Sequence, residues 1–494
     1  MDIRVVKNYD EIQNVDTRVI PLYEGFEGIG SSELDENMKR LLETALKASE
    51  FCAKSGDVKS LIVPVENGVR NIIVLGLGKK EELSLEKVRS AAAKALRECK
   101  KIDAKYIGMN VMGIDAGISC ELLGRAMAEG VILADYKYEK FKSNRKESTV
   151  KEVAVVCQCG CIEEFKKGIE EGRVIGEATN FARELTNEPS NYLTPEELAD
   201  RAKTEGEESG FEVEVFDEFK IREMGMDAFM AVAKGSEIPP RFIIMRYFGN
   251  PENKDDITAL VGKGLTYDSG GYSLKPPAGM WEMKGDMGGS ASVIGAISAI
   301  ARMKLKKNVV AVVAACENML SGGAYKNGDV IGSMAGKTIE VLNTDAEGRL
   351  TLADAVYYAV ENEKAIRVVD IATLTGAVGV ALGSVTTGII TNDDEFYGRL
   401  EKACSTSGEK IWRLPGFEEY KELLKSDIAD LKNIGGRSAG TITAGLFIGE
   451  FVKNKPWIHM DIAGTSSSDK NADYLSKGAT GVGVRSMYQL VKEL

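Results

Sequence analysis

The segment from Asn308 to Cys316 is almost wholly apolar. A run this short and this apolar suits a β-strand covered on both faces. Similar runs lie at Ile257–Gly262 and at Ile366–Ile371, and His459-Met-Asp-Ile-Ala is a further short strand. Between them, Gly288 to Met303 and Thr351 to Glu361 carry small and apolar residues at helical spacing. Ile339-Glu-Val-Leu342, the helix at 351–361 and the strand at 366–371 form one more βαβ unit. Strands alternating with helices in this way call for an α/β architecture, with a mostly parallel or mixed sheet covered by helices.

The 494 residues exceed one ordinary domain. Residues 1–165 form a smaller N-terminal α/β domain. Its first strand is at Met1–Lys7, with others at Ser60–Pro64 and Asn71–Leu75, and its helix at Glu86–Lys100 is capped by Ser84. Ile162 to Leu185 has the pattern of a long helix, so 166–186 is expected to link two domains. Residues 187–494 form the larger C-terminal domain, where Thr194-Pro195-Glu196-Glu197 opens a helix with threonine as N-cap and proline in the first turn.

A net charge of −12 disfavours nucleic-acid and anionic-membrane partners, which want a basic face. Ile371 to Thr391 carries no charge, but its four glycines and five threonines make it a buried strand followed by glycine-rich loops rather than a membrane span. The N-terminus lacks the pattern of a signal peptide. Eight cysteines are too sparse for a disulfide scaffold, so a cytoplasmic, reduced protein is expected. Three of them form Cys157-Gln-Cys159-Gly-Cys161. A metal reading of this run lacks a second cluster or a nearby histidine, and the alternation after Glu152-Val-Ala-Val-Val places the run on one strand face.

Polar residues gather where open α/β sheets place ligands, at the C-terminal ends of strands. One cluster, Gly262-Lys263-Gly264-Leu-Thr-Tyr-Asp268-Ser-Gly-Gly271 with Lys275 beyond, follows the strand at 257–262. Met283-Lys-Gly-Asp286-Met opens a helix, and Asn343-Thr-Asp345-Ala-Glu347-Gly-Arg349-Leu350 follows the strand at 339–342. Asp268, Asp286, Asp345 and Glu347 are candidates to converge. In an extended segment Asp345 and Glu347 point the same way. Four carboxylates cannot stay ionised together uncompensated, and two divalent cations would neutralise them. With one histidine in the chain, a histidine-rich zinc site is excluded and serine or cysteine triads are disfavoured. Asp354 and the lone His459 are read as structural.

The octapeptide Asn343–Leu350 resembles the signature of the leucyl aminopeptidase (cytosol aminopeptidase) family, peptidase family M17, at all eight positions. The 262–275 and 283–287 segments match in the same order. So do Asn187-Glu-Pro-Ser-Asn, Ser321-Gly-Gly-Ala, Ala372-Thr-Leu-Thr-Gly376, Asn433-Ile-Gly-Gly and His459-Met-Asp-Ile-Ala-Gly464. The resemblance is strong over roughly 170–494, and only of general character before it. Tyr267, Ser290, Leu320 and Asn327 depart from residues common in the family, none of them at a proposed ligand.

The resemblance implies that 187–494 is a catalytic metallopeptidase domain. Lys263, Asp268, Asp286, Asp345 and Glu347 would hold two divalent ions, Mn or Zn with Mg or Co as alternatives, and Lys263 would bind as a neutral amine. Lys275 would polarise the peptide carbonyl. Arg349, with Ala346, Gly348 and Leu350, would hold bicarbonate as general base while a metal-bridging hydroxide attacks. Met283, Asn343, Thr373, Leu374 and Gly376 would line the pocket for the first side chain. The implied reaction releases N-terminal residues, leucine preferred, from short peptides with a free N-terminus. The implied assembly is a homohexamer. The alternative is a non-catalytic or dual-role binding or regulatory protein on the same fold.

Overall fold

A computed structural model describes residues 1–30, 34–65, 68–145 and 148–494. The chain forms two compact units: Met1–Glu177 with Lys470–Ser476, and Ala178–Asp469 with Lys477–Leu494. The division at 177/178 falls inside one long helix, Ile162–Asn187.

Among the described residues, the first unit holds a six-stranded sheet in the order Asp2–Val6, Glu152–Val156, Tyr106–Asn110, Thr17–Leu22, Gly68–Gly76, Val58–Val65. All neighbours are parallel except the last pair, which is antiparallel. The helix expected at 86–100 spans Leu85–Lys101; Ser84 accepts the Lys87 N–H, and Val88, Ala91, Ala92, Ala95 and Leu96 turn inward. These residues join the helix Cys120–Asp135 in one core.

The cysteine run differs from expectation. The strand stops at Val156, so Cys157, Cys159 and Cys161 lie beyond it, in the turn that leads into Ile162–Asn187. Cys161 forms a disulfide with Cys120, 41 positions earlier, which corrects the expectation of an all-reduced chain. Sequence proximity hid this partner because the fold, not the spacing, delivers it.

The second unit is built on an eight-stranded mixed sheet. From edge to edge the strands are Ile411–Arg413, Thr387–Thr391, Trp457–Asp461, Arg367–Ala372, Ile257–Asp268, Asn308–Asn318, Arg241–Phe248 and Glu212–Phe216. The four central strands, 457–461 to 308–318, are mutually parallel, and every residue of 308–318 is buried. Helices Gly288–Arg302 and Gly348–Glu361 cover this sheet.

Three local expectations are corrected. The strand expected to end at Gly262 runs on to Asp268, so Lys263 and Asp268 stand in the sheet itself. Glycine there serves close packing rather than a turn: a Cβ on Gly262 would sit 2.6 Å from the Gly289 carbonyl oxygen, where the helix 288–302 begins. The strand at Ile339–Glu340 does not enter the main sheet; it pairs with Val330–Ile331 and Leu431–Lys432 in a small separate sheet. The segment after Ala372 is not only loop, since it contains the helix Gly376–Leu382 and the strand Thr387–Thr391. Among the described residues no helix is long and apolar enough to cross a membrane.

Candidate active site

The C-terminal edge of the parallel strands supplies the polar groups. The strand 257–268 contributes Lys263 and, at its last position, Asp268. Asp286 sits between the short 3-10 helix Met280–Gly285 and the helix at 288. Asp345 lies in a turn and Glu347 is the N-cap of Gly348–Glu361, so the two are joined by a turn rather than by extended chain. Asp268, Asp286 and Glu347 are buried, and a carboxylate oxygen of each lies within 4.8 Å of the others.

Two lysines thread this group. Lys263 Nζ is 2.7 Å from Asp286 Oδ2, 2.9 Å from Glu347 Oε1 and donates to the Thr373 carbonyl at 3.0 Å. Lys275 Nζ is 2.8 Å from Asp268 Oδ2 and 2.6 Å from Asp345 Oδ1. Burial works against the Lys263 charge, but Asp286, Glu347 and Asp268 outweigh it and raise its pKa. Lys275 is raised in the same way, by Asp268 and Glu347 against desolvation.

The carboxyls are pushed in the opposite sense from an ordinary ion pair. Burial, then the Asp268 charge, lifts Glu347 to about 8, and burial lifts Asp286 to about 6. Asp345 is raised too, mainly by desolvation. Two ammonium groups therefore do not compensate four carboxylates. Glu347 Oε2 is buried and accepts no hydrogen bond, while Asp286 Oδ2 and Asp345 Oδ1 meet their lysines without hydrogen-bond alignment. Unfilled oxygens in an all-oxygen set, with excess negative charge, fit divalent cations.

The surroundings hold these groups in place. Asp268 Oδ1 accepts from Gly270 N at 2.9 Å and Asn318 Nδ2 at 2.7 Å. Gly270 and Gly271 have φ of +86° and +62°, which glycine adopts without strain, and so they turn the chain back over Asp268. Thr373 Oγ1 donates to Asp286 Oδ1 at 2.7 Å. Asp461, at the end of its strand, accepts from Leu374 N, Thr375 N and Thr375 Oγ1 and so fixes the loop before Gly376.

Arg349 is buried. Its Nη1 donates to the Asn433 carbonyl at 2.8 Å and its Nε has no partner. Burial lowers its pKa to about 10, still cationic near neutrality. An unpartnered guanidinium N–H at the start of a helix suits a small anion. Asn433 is itself fixed, accepting from Leu342 N and donating to the Asn343 carbonyl.

A cavity of about 700 Å³ opens on this cluster. Its walls include Lys263, Asp268, Lys275, Met283, Asp286, Asn343, Asp345, Ala346, Glu347, Arg349, Thr373, Leu374 and Gly376. Gly348 and Leu350 do not line it; the Leu350 N–H donates to the Glu347 carbonyl. Gly348 instead makes room, since a Cβ there would fall 2.4 Å from Lys263 Cε. Asp354 accepts from Phe229 N and Met334 N, and His459 is buried against Asp370, so neither reaches the cavity wall. Sequence reasoning missed Asn318 and the positioning roles of Asn433 and Asp461. The signal available for Asp461 was its place at the C-terminal end of a buried strand.

The model described as "Cytosol aminopeptidase family, catalytic domain" matches residues 180–488, and that for the family's N-terminal domain matches 19–145. The second match extends the likeness into a region where the sequence alone shows only general character. Among curated proteins, a probable cytosol aminopeptidase of Clostridium perfringens is 52% identical over 482 residues, 96% of each chain. One from Alkaliphilus oremlandii is 47% identical over the whole of both chains. Among solved structures, a tomato leucine aminopeptidase mutant superposes with a TM-score of 0.88 at 33% identity, covering 100% of this chain and 97% of that one. The bottromycin maturation enzyme BotP in complex with Mn does so at 0.87 and 32%, covering 97% and 99%.

Proposed function

The chain belongs to the cytosol aminopeptidase family, whose members are metal-dependent hydrolases, and from that premise we propose a two-metal aminopeptidase that releases N-terminal residues, leucine preferred, from short peptides. The observation that carries the reading is a set of three buried carboxyls, Asp268, Asp286 and Glu347, with the half-buried Asp345, opposed by two lysines and with Glu347 Oε2 left unpartnered. Lys263, Asp268, Asp286, Asp345 and Glu347 would hold the ions, Mn or Zn, with Mg or Co as alternatives. When bound, the ions supply Lewis acidity and activate water. Lys263 must shed the proton that its carboxylates now hold on it, which makes binding proton-releasing.

The chain's own groups do the rest. Lys275, charged and facing the cavity, polarises the scissile carbonyl and steadies the developing oxyanion. Arg349, with the N-terminal end of the helix at Gly348, would hold a bicarbonate, which when bound would supply a general base; Ala346 lines the same wall. Met283, Asn343, Thr373, Leu374 and Gly376 shape the pocket for the first side chain, and methionine adapts to more than one of them. A cytoplasmic location is supported by the names of the cytosol aminopeptidase relatives, and the assembly proposed is a homohexamer.

The test is hydrolysis of leucine p-nitroanilide and its N-acetyl form by metal-stripped protein, with and without Mn²⁺. Mn²⁺-dependent cleavage of the free-amine substrate alone is expected. Cleavage of the acetylated substrate, or none with Mn, Zn, Co or Mg, overturns the reading.

A further inference from the structure

A second cluster of residues of metal-ligating type lies within the first unit, while the carboxylates belong to the second. The sulfurs of Cys120, Cys159 and Cys161 lie within 4.8 Å of one another, and each of these residues is half-buried. Cys157 adjoins the group through one member: its Sγ is 2.6 Å from that of Cys159, and Cys159 is 2.9 Å from Cys161. Unbonded sulfurs do not rest this close. A covalent bond joins one pair, Cys120–Cys161; once it is reduced, one ion can engage the three clustered sulfurs, and Cys157 by a movement beside Cys159.

Three structural elements deliver the sulfurs. Cys157 directly follows the strand Glu152–Val156, Cys161 accepts the Phe165 N–H as the helix 162–187 begins, and Cys120 is the first residue of the helix 120–135. Two of the four thus stand at helix N-termini, where the macrodipole favours thiolate over thiol.

We infer that Cys120, Cys157, Cys159 and Cys161 form a four-sulfur site for a thiophilic metal ion, zinc or copper(I), when the chain is reduced. Soft thiolates select such ions over the Mn and Mg that an all-oxygen set accepts. The chain would then sort two kinds of metal between two sites by donor chemistry alone. In a tetrahedral zinc–thiolate centre the metal–sulfur distance is about 2.3 Å and the sulfurs stand about 3.8 Å apart, so after reduction the sulfurs must separate by roughly 1 to 2 Å. Cys159 and Gly160 lie in bend and turn conformations that allow it. The redox step balances: a dithiol reductant gives two electrons to the Cys120–Cys161 bond and closes its own disulfide. The ion then displaces one proton from each cysteine that binds. Bound there, it ties the end of one strand to the starts of two helices, as the disulfide does when the chain is oxidised.

The experiment uses the full-length protein, purified without oxygen in a dithiol reductant and stripped of metal. Co²⁺ is then added as a probe. Only sulfur ligands give an intense thiolate-to-cobalt charge-transfer band, so ions in the oxygen-rich cluster do not interfere. The band is expected in the wild-type chain and is expected to be lost in Cys159→Ser/Cys161→Ser, with the Mn²⁺-supported hydrolysis rate unchanged. Elemental analysis of protein purified from cells, with the same double variant as control, shows which ion fills the site: zinc or copper retained only by the wild type. Absence of the band in reduced wild-type protein, or a band that survives the double substitution, overturns the inference.

Discussion

At the scale of single residues, the site depends on charges that the fold keeps out of balance. Glu347 and Asp286 are acids whose folded pKa values, about 8 and about 6, stand above their ordinary values of 4.5 and 3.8. The metal-free folded state thus binds these protons more tightly than the unfolded chain does. Its stability falls as pH rises from about 4 to about 8. Melting temperatures in EDTA should show that fall, and Mn²⁺ should raise them most at the upper end of the window. Lys275→Met removes the charge aimed at the developing oxyanion, and kcat is expected to drop by about 10²–10³ with little change in KM. Gly348→Ala would put a methyl against the end of the Lys263 side chain. The fold should survive, because that chain end can move, while Mn²⁺ affinity measured by titration falls at least tenfold. The acidic candidates stood out because they sit in three glycine-rich polar segments, and their assignment as ligands came from the family resemblance rather than from the residues alone. Asn318 was not, because an asparagine closing a strand looks like any turn residue until its Nδ2 is seen on Asp268.

At the scale of elements, the site rests on a helix pressed into a sheet. A Cβ on Gly289 would stand 2.1 Å from the Ile371 carbonyl oxygen, which is backbone and cannot step aside. Gly289→Ala should therefore cost about 1–3 kcal/mol, read as a lowered denaturation midpoint, and should weaken metal binding by shifting Asp286 just before that helix. The same close approach explains why the sequence misplaced a strand end. Gly262 and Gly264 look like turn signals, yet both lie inside the Ile257–Asp268 strand, where glycine relieves crowding. Periodicity found the buried strands and helices well because their faces are apolar throughout. It misassigned Ile339–Glu340, because a two-residue strand carries no period to say which sheet it joins.

At the scale of the whole molecule, the α/β class and a site in the C-terminal half were readable from the order of elements. The disulfide and the four-cysteine cluster were not, because they depend on Cys120 arriving from 41 positions away. Sedimentation at working concentration is expected to give about six times the chain mass; a monomer would contradict the proposed hexamer. Occupation of the carboxyl–lysine cluster by two catalytic metal ions is what the proposed function rests on. It is tested most directly by calorimetric titration of metal-stripped protein with Mn²⁺ in two buffers of different ionisation enthalpy, with hydrolysis assayed at each point. Two equivalents per chain are expected to bind, with protons released on binding and activity that rises with filling. Full activity before any metal is added, or two bound equivalents with no hydrolysis and no proton release, would contradict it.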